Sequence, residues 1–233
     1  MILLALDTSG TTASAALMSE YIIMAESSVT LSDLRGAGRK THSETLMPMI
    51  AGLFEITGAA LEDVDYIACT CGPGSFTGLR IGAATAKGLA FAASKPLIAV
   101  PTLDALAYTV EGADSTWVVP MIDARRGQAY SAFYFNNKRM TDYMAEPVED
   151  LRKMIIERAE GRPIIYVEPP LKAPTVGAKA LTMLESAADE SEFSLLYVRK
   201  PQAEREKNER EKREREKAER EKEERDFRGS APP

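Results

Sequence analysis

Ile2-Leu3-Leu4-Ala5-Leu6-Asp7-Thr8-Ser9-Gly10 sets five apolar residues directly before an acidic, hydroxyl-bearing turn. A short apolar run that stops at turn residues reads as a buried strand. Ala13 to Met18 and Tyr21 to Ser27 follow, with Ser19-Glu20 between them as a hairpin turn, so the first 30 residues predict an antiparallel meander. The pattern returns in the second half of the chain. Trp117 to Ile122 is apolar and ends in Asp123-Ala124-Arg125-Arg126-Gly127, and Ala129 to Phe135 is its expected antiparallel partner. Strand, polar turn, strand at both Asp7 and Asp123 points to two copies of one αβ unit, although the spacing is not a formal repeat.

Between the two copies, Leu31 to Lys40 reads as a loop and the next segment as a helix. Thr41-His42-Ser43-Glu44 fits a capping box, and Leu46, Ile50, Leu53 and Phe54 recur at helical spacing. Pro48 conflicts with a start at Thr41; with Thr45 as N-cap it would fall in the first turn, where its missing N–H costs nothing. Both starts stay open on the sequence. Gly58 ends the helix, Val64 to Thr70 is a buried strand, and Cys71 to Gly78 is a glycine-rich turn. Leu79 to Ala93 is a helix rich in small residues and Leu97 to Val100 a short strand. Later, Val148 to Arg158 reads as a helix, Pro163 to Val167 as a strand and Thr175 to Ala188 as a helix.

The chain has 233 residues, 45% hydrophobic and 27% charged, which is ordinary for a globular protein. Residues 201–228 hold eleven basic and eleven acidic side chains, so the remainder carries the whole net charge of −6. So acidic a body has no global electrostatic footprint for nucleic acid or an anionic membrane. The local exceptions are Arg35, Arg39 and Lys40, Arg125 with Arg126, and Arg199 with Lys200. In the tail, Glu-Arg-Glu-Lys recurs at 204, 209, 214 and 219, and Glu206–Arg210 and its repeats are acid-first i,i+4 pairs. No apolar stripe accompanies them, which excludes a coiled coil and leaves an ion-paired helix or a solvated tail.

Cys69 and Cys71 are too close to staple a fold, and with one histidine they cannot complete a structural zinc site. The apolar run at the N-terminus stops at Asp7, too early for a signal peptide, and no run reaches the roughly 20 apolar residues of a membrane span. The expected compartment is the cytoplasm.

The inventory of reactive groups is thin. His42 is the sole histidine, Pro73 stands where a nucleophile elbow needs glycine, and neither a P-loop nor a dinucleotide fingerprint is present. Two features carry possible chemistry. Asp7, Thr8 and Ser9, with Asp123 at an equivalent strand end, resemble the phosphate-facing turns of actin-like and sugar-kinase-like folds; the alternative is a turn in which Asp7 caps its own backbone. The glycine-rich turn before Leu79 is either an anion site at a helix N-terminus or a tight connection that needs glycine.

Leu4 to Ser9, Thr41 to Glu44, Gly72-Pro73-Gly74-Ser75-Phe76-Thr77-Gly78-Leu79-Arg80-Ile81-Gly82, Asp123 to Gly127 and Tyr197 to Glu204 form an ordered series. The series resembles the bacterial TsaB (YeaZ) family over roughly residues 1 to 204; only the charged tail departs from it. The resemblance implies an actin-like (ASKHA) α/β fold of two αβ subdomains, each with a mixed sheet: residues 1–102, 103–203 and a tail of 204–233. It implies a non-catalytic place in the tRNA threonylcarbamoyladenosine pathway, beside a related TsaD-like catalytic subunit. TsaD-like chains hold their metal with a His-x-x-x-His pair, and here the second position is Leu46. Further implied partners are a TsaE-like ATPase, a second copy of the chain when it is alone, and tRNA only through the complex. The chain alone is expected to hold no cofactor, with ATP or ADP entering in the complex and Asp7, Thr8 and Ser9 as candidate cofactor-binding residues. An actin-like ATPase or kinase using Asp7 and Asp123 is the competing reading. The expected partner surface is the helix pair carrying Leu46, Ile50, Leu53 and Phe54 on one helix and Leu79, Ala83, Ala86, Leu89 and Ala90 on the other.

Overall fold

A computed structural model describes residues 1–31, 41–110, 112 and 114–199. β1 (Ile2–Asp7) is apolar because it lies in the middle of a five-stranded sheet. It pairs antiparallel with β2 (Thr12–Ser19), which pairs antiparallel with β3 (Ile22–Thr30). On its other side it pairs parallel with β4 (Tyr66–Gly72), and β4 pairs parallel with β5 (Leu97–Pro101). The spatial order is β3-β2-β1-β4-β5.

α1 (His42–Thr57) connects β3 to β4 and settles the question of its start. Thr41 is the N-cap, and the Glu44 carboxylate accepts the Thr41 N–H at 2.7 Å. Thr45 is inside the helix, its hydroxyl donating to the Thr41 carbonyl at 2.9 Å, and Pro48 sits on the exposed side of the helix interior. α2 (Phe76–Ala93) begins three residues before the expected Leu79 because Ser75 caps it. α3 (Thr102–Tyr108), which the sequence analysis passed over, follows β5 without a loop.

The second sheet repeats the first. β6 (Trp117–Asp123) pairs antiparallel with β7 (Gln128–Ser131) and, in the same register, with β8 (Tyr134–Phe135). The expected strand Ala129 to Phe135 is thus one partner with a lapse opposite Val119 and Pro120. Proline has no N–H for the ladder, and the Pro120 carbonyl takes the Ser131 hydroxyl at 2.8 Å. β9 (Lys138–Arg139) and β10 (Met144–Pro147) return along β8 and β7. After α4 (Val148–Ala159), β11 (Ile164–Val167) pairs parallel with β6. With the interrupted strands joined, this is the order β3-β2-β1-β4 over again. α5 (Ala173–Leu181) closes the series and ends before the expected Ala188, where a 3-10 turn over Leu184–Ser186 takes over.

The layers follow from which side chains share a core. Leu4, Leu6, Leu17, Ile67 and Cys69 face α1 and α2, while Leu3, Ala5, Met18, Ile98 and Val100 face the other way, toward α3 and α5. Val118, Ile122 and Tyr134 of the second sheet join that same central cluster, and Trp117, Val119 and Phe133 face α4. Residues 1–198 pack as one compact unit, so the expected boundary at 102/103 falls inside α3 and inside a core the two sheets share. The expected loop at 31–40 lies, from residue 32 on, outside the described residues, as does the tail expected at 204–233. Among the described residues no helix is long and apolar enough to cross a membrane.

Candidate functional site

β1 delivers Asp7 to the edge of the central core, where the side chain is 1% exposed. Its Oδ1 accepts the Ser9 N–H at 3.0 Å and the Thr70 hydroxyl at 2.8 Å. Burial raises the carboxyl above the ordinary aspartate value, and the bonds from Ser9 and Thr70 oppose that rise. Thr8 and Ser9 turn to the glycine-rich segment. The Thr8 hydroxyl donates to the Gly78 carbonyl at 2.8 Å, and the Ser9 carbonyl accepts the Ser75 N–H at 2.7 Å. A Cβ on Gly74 would stand 2.4 Å from the Ser9 carbonyl oxygen, and one on Gly78 2.1 Å from that of Thr8. The glycines are there to let the β1–β2 turn lie directly on α2.

This geometry bears on two sequence-based readings. At the first turn of α2 the Ser75 hydroxyl caps the Gly78 N–H at 3.3 Å and the Ser9 carbonyl occupies the Ser75 N–H, so two of the N–H groups there are already taken. Of the three candidate cofactor-binding residues, Thr8 is committed to packing; Asp7 and Ser9 reach a pocket of about 170 Å³. Gly10, Thr11, Thr12, Thr30 and Thr102 give it hydroxyls and backbone, and Leu106, Ile122 and Leu171 give it apolar wall. Asp7 is the only ionisable residue among the described ones that line it, so a phosphate placed there would meet a carboxyl and no cation.

Asp123 ends β6 as Asp7 ends β1. Its Oδ1 accepts the Arg125 N–H at 2.7 Å and its Oδ2 lies 3.9 Å from the Arg125 guanidinium, all at the surface. It does not line the pocket that Asp7 lines. His42 begins α1 with its Nε2 buried and unpartnered, and burial lowers its pKa. One turn on, Leu46 is buried in the core, so no second ligand faces the imidazole. No group of three His, Cys, Asp or Glu able to hold a metal occurs among the described residues. Burial pushes both thiols up, Cys71 to about 12, which leaves them protonated and inert.

The expected partner surface also needs correction. Leu46, Ile50, Leu53, Leu79, Ala83, Ala86 and Ala90 are buried, and Phe54 and Leu89 pack against them at the core edge. These residues join the helices to the first sheet. Exposed on the same helices are Met47, Ala51 and Ile56 of α1, and Ala84, Gly88 and Phe91 of α2. Ile56 is 79% exposed and Phe91 74%. A second cluster escaped the sequence analysis: Asp104 on α3 accepts the hydroxyls of Tyr134 and Tyr143, the latter at 2.8 Å, tying α3 to the second sheet. Sequence separations of 30 and 39 residues gave no signal for it.

The family described as "TsaD: tRNA N6-adenosine threonylcarbamoyltransferase" matches residues 37–190. The "tRNA threonylcarbamoyladenosine biosynthesis protein TsaB" of Bacillus subtilis is 33% identical over 172 residues, 72% of this chain and 70% of that protein. The chain belongs to the TsaB family. The TsaB of Escherichia coli is 41% identical over 98 residues, 41% of this chain and 42% of that protein. The solved structure titled "YeaZ from Pseudomonas aeruginosa" superposes with a TM-score of 0.67 at 28% identity, covering 84% of this chain and 99% of that one. The doubled sheet order is accordingly the actin-like fold of a TsaB protein, in which α1 and α2 form the outer layer of the first half.

Proposed function

We propose that the chain is the non-catalytic subunit of the machinery that forms threonylcarbamoyladenosine beside the anticodon of tRNA, and that it works by binding and supporting a TsaD-like catalytic subunit in the cytoplasm. The observation that carries this reading is the division of α1 and α2. Their inner faces complete the core, yet Met47, Ile56 and Phe91 still stand in solvent. Large apolar side chains left in solvent on two neighbouring helices favour an interaction surface there. The partner packs its own helices there; alone, a second copy takes the place. The buried, self-capping Asp7 and the solitary His42 support the absence of chemistry in this chain. ATP or ADP, a TsaE-like ATPase and tRNA belong to the assembled complex.

Ile56→Asp and Phe91→Asp test the surface, since both side chains are exposed and the fold does not depend on them. Each should abolish co-purification with the TsaD-like subunit of the same organism and leave the thermal midpoint unchanged. Unaltered co-purification of both folded variants would sink the assignment. Ala86→Glu, in contrast, should unfold the chain, because Ala86 is fully buried.

A further inference from the structure

Phe76, Arg80 and Tyr197 form an exposed cluster at the N-terminal end of α2. The Arg80 guanidinium carbon lies 3.9 Å from the centre of the Phe76 ring, and its Nε–H donates to the Tyr197 hydroxyl at 3.4 Å. The two rings are 5.9 Å apart and inclined at 42°. Phe76 and Arg80 are one helical turn apart, so their stacking follows from i,i+4 geometry. Tyr197 arrives from far along the chain. Its segment is pinned to the end of β4 where the Leu196 N–H donates to the Cys71 carbonyl at 2.8 Å.

The cluster leaves most of its own binding capacity unspent. Phe76 is 42% and Tyr197 43% exposed, large values for side chains that can bury so much apolar area. Arg80 makes no ion pair among the described residues, although the protein has six more acidic than basic side chains. An exposed arginine ordinarily wanders through many rotamers. This one has a ring under its plane and a hydroxyl on its Nε, so the two Nη groups are held ready as a planar fork. That fork matches the two oxygens of a carboxylate.

We infer that Phe76, Arg80 and Tyr197 are the anchor of the partner-binding face, taking a surface carboxylate of the protein partner that is flanked by an apolar side chain. The inference rests on the reading of this chain as a binding subunit. Continuity favours a protein occupant: from Arg80 the exposed side of α2 continues through Ala84 and Gly88 to Phe91, the face already assigned to the partner. Composition favours it too, since phenylalanine, tyrosine and arginine are enriched in interface cores. A nucleic acid would draw its affinity from many phosphates, and this body is acidic with one cation in the cluster.

The test is the Kd of the full-length chain for the purified TsaD-like subunit of the same organism, measured by calorimetry at about 50 and about 300 mM salt. Arg80→Gln should weaken binding at least tenfold at low salt and flatten the salt dependence. Arg80→Lys should recover only part of the loss, because it restores the charge without the fork. Phe76→Ala should weaken binding similarly, with every thermal midpoint unchanged. Wild-type affinity in Arg80→Gln overturns this inference while leaving the subunit reading in place. A weakened Arg80→Gln with undiminished salt dependence overturns the carboxylate. Loss of tRNA binding with intact protein binding overturns it in favour of nucleic acid. Failure of the wild-type chain to bind the subunit at all removes both the inference and the function it rests on.

Discussion

β1 and β6 hold the same place in their sheets, and each ends in an aspartate that accepts the N–H two residues on, from Ser9 at 3.0 Å and from Arg125 at 2.7 Å. The local chemistry is the same, and the surroundings are opposite. Asp7 is buried at the edge of the central core and hydrogen-bonded to Thr70, whereas Asp123 lies in solvent beside the Arg125 side chain. The helices that follow β4 and β11 make the difference. α2 comes straight back over the turn of its own sheet, and its glycines let the turn approach. α5 instead leaves the second sheet and packs on the first, with Ala173 N–H on the Ser14 hydroxyl and Gly177 against Met18 and Ala5. One turn is therefore a packing joint and the other a bare surface loop. An aspartate at the end of a strand does not by itself make a phosphate site; what lies across from it decides.

The largest expected effect falls on the joint. Gly78→Ala should destabilise the protein by about 3 kcal/mol or more, because the new Cβ would collide with a backbone carbonyl that cannot move without dislodging β1. The matching change on the bare side, Gly127→Ala, meets no atom within 4 Å and strains only a φ of +71°, so it should cost about 1 kcal/mol. Urea titrations of the two variants measure both. Equal losses would erase the distinction between the turns.

A smaller effect separates the aspartates by pH. Because burial raises the Asp7 carboxyl, the native state holds a proton that the unfolded chain gives up nearer the ordinary value of 3.8. Stability therefore falls as pH rises through the window above 3.8, and ionised Asp7 is a cost at neutral pH. Asp7→Asn keeps an acceptor for Ser9 and Thr70 and should stabilise the fold by about 1 kcal/mol at pH 7, a gain that disappears on acidification to pH 4. Asp123→Asn should change stability by less than about 0.5 kcal/mol at either pH, as exposed substitutions do. Thermal melts across that range decide it; a destabilised Asp7→Asn at pH 7 would mean that the charge itself holds the joint.

Much of the architecture could be read from the residues. The apolar run before Asp7 and its echo before Asp123 mark the central strands of both sheets, and the capping box at Thr41 marks the start of α1. Short-range rules failed where the cause was distant. β9 and β10 are polar or partly exposed and pair only because β7 and β8 are already in place. α3 is seven residues long and owes its helix to a core drawn from both sheets. Most residues expected at the partner surface are buried for a plain reason. Helical periodicity picks out the residues a helix buries in its own domain, Leu46, Ile50 and Leu53; Met47 stands out of that phase, whereas Ile56 shares the side of Leu53 and is exposed near the end of α1. Glycine spacing looks alike whether a phosphate or a neighbouring backbone is to approach, so the close contact of Gly74 and Gly78 with the Ser9 and Thr8 carbonyls is legible only in three dimensions.

If the chain acts through its surface, neither aspartate-bearing turn is needed for the chemistry. The most direct measurement is the rate of threonylcarbamoyladenosine formation in a reconstituted system, with the wild-type chain replaced by an Asp7→Asn, Asp123→Asn double variant. Loss of a catalytic acid ordinarily costs a factor of 100 or more. The account predicts a rate within about tenfold of wild type. A loss beyond about a thousandfold, with binding to the TsaD-like subunit intact, would contradict it and return the chemistry to these aspartates.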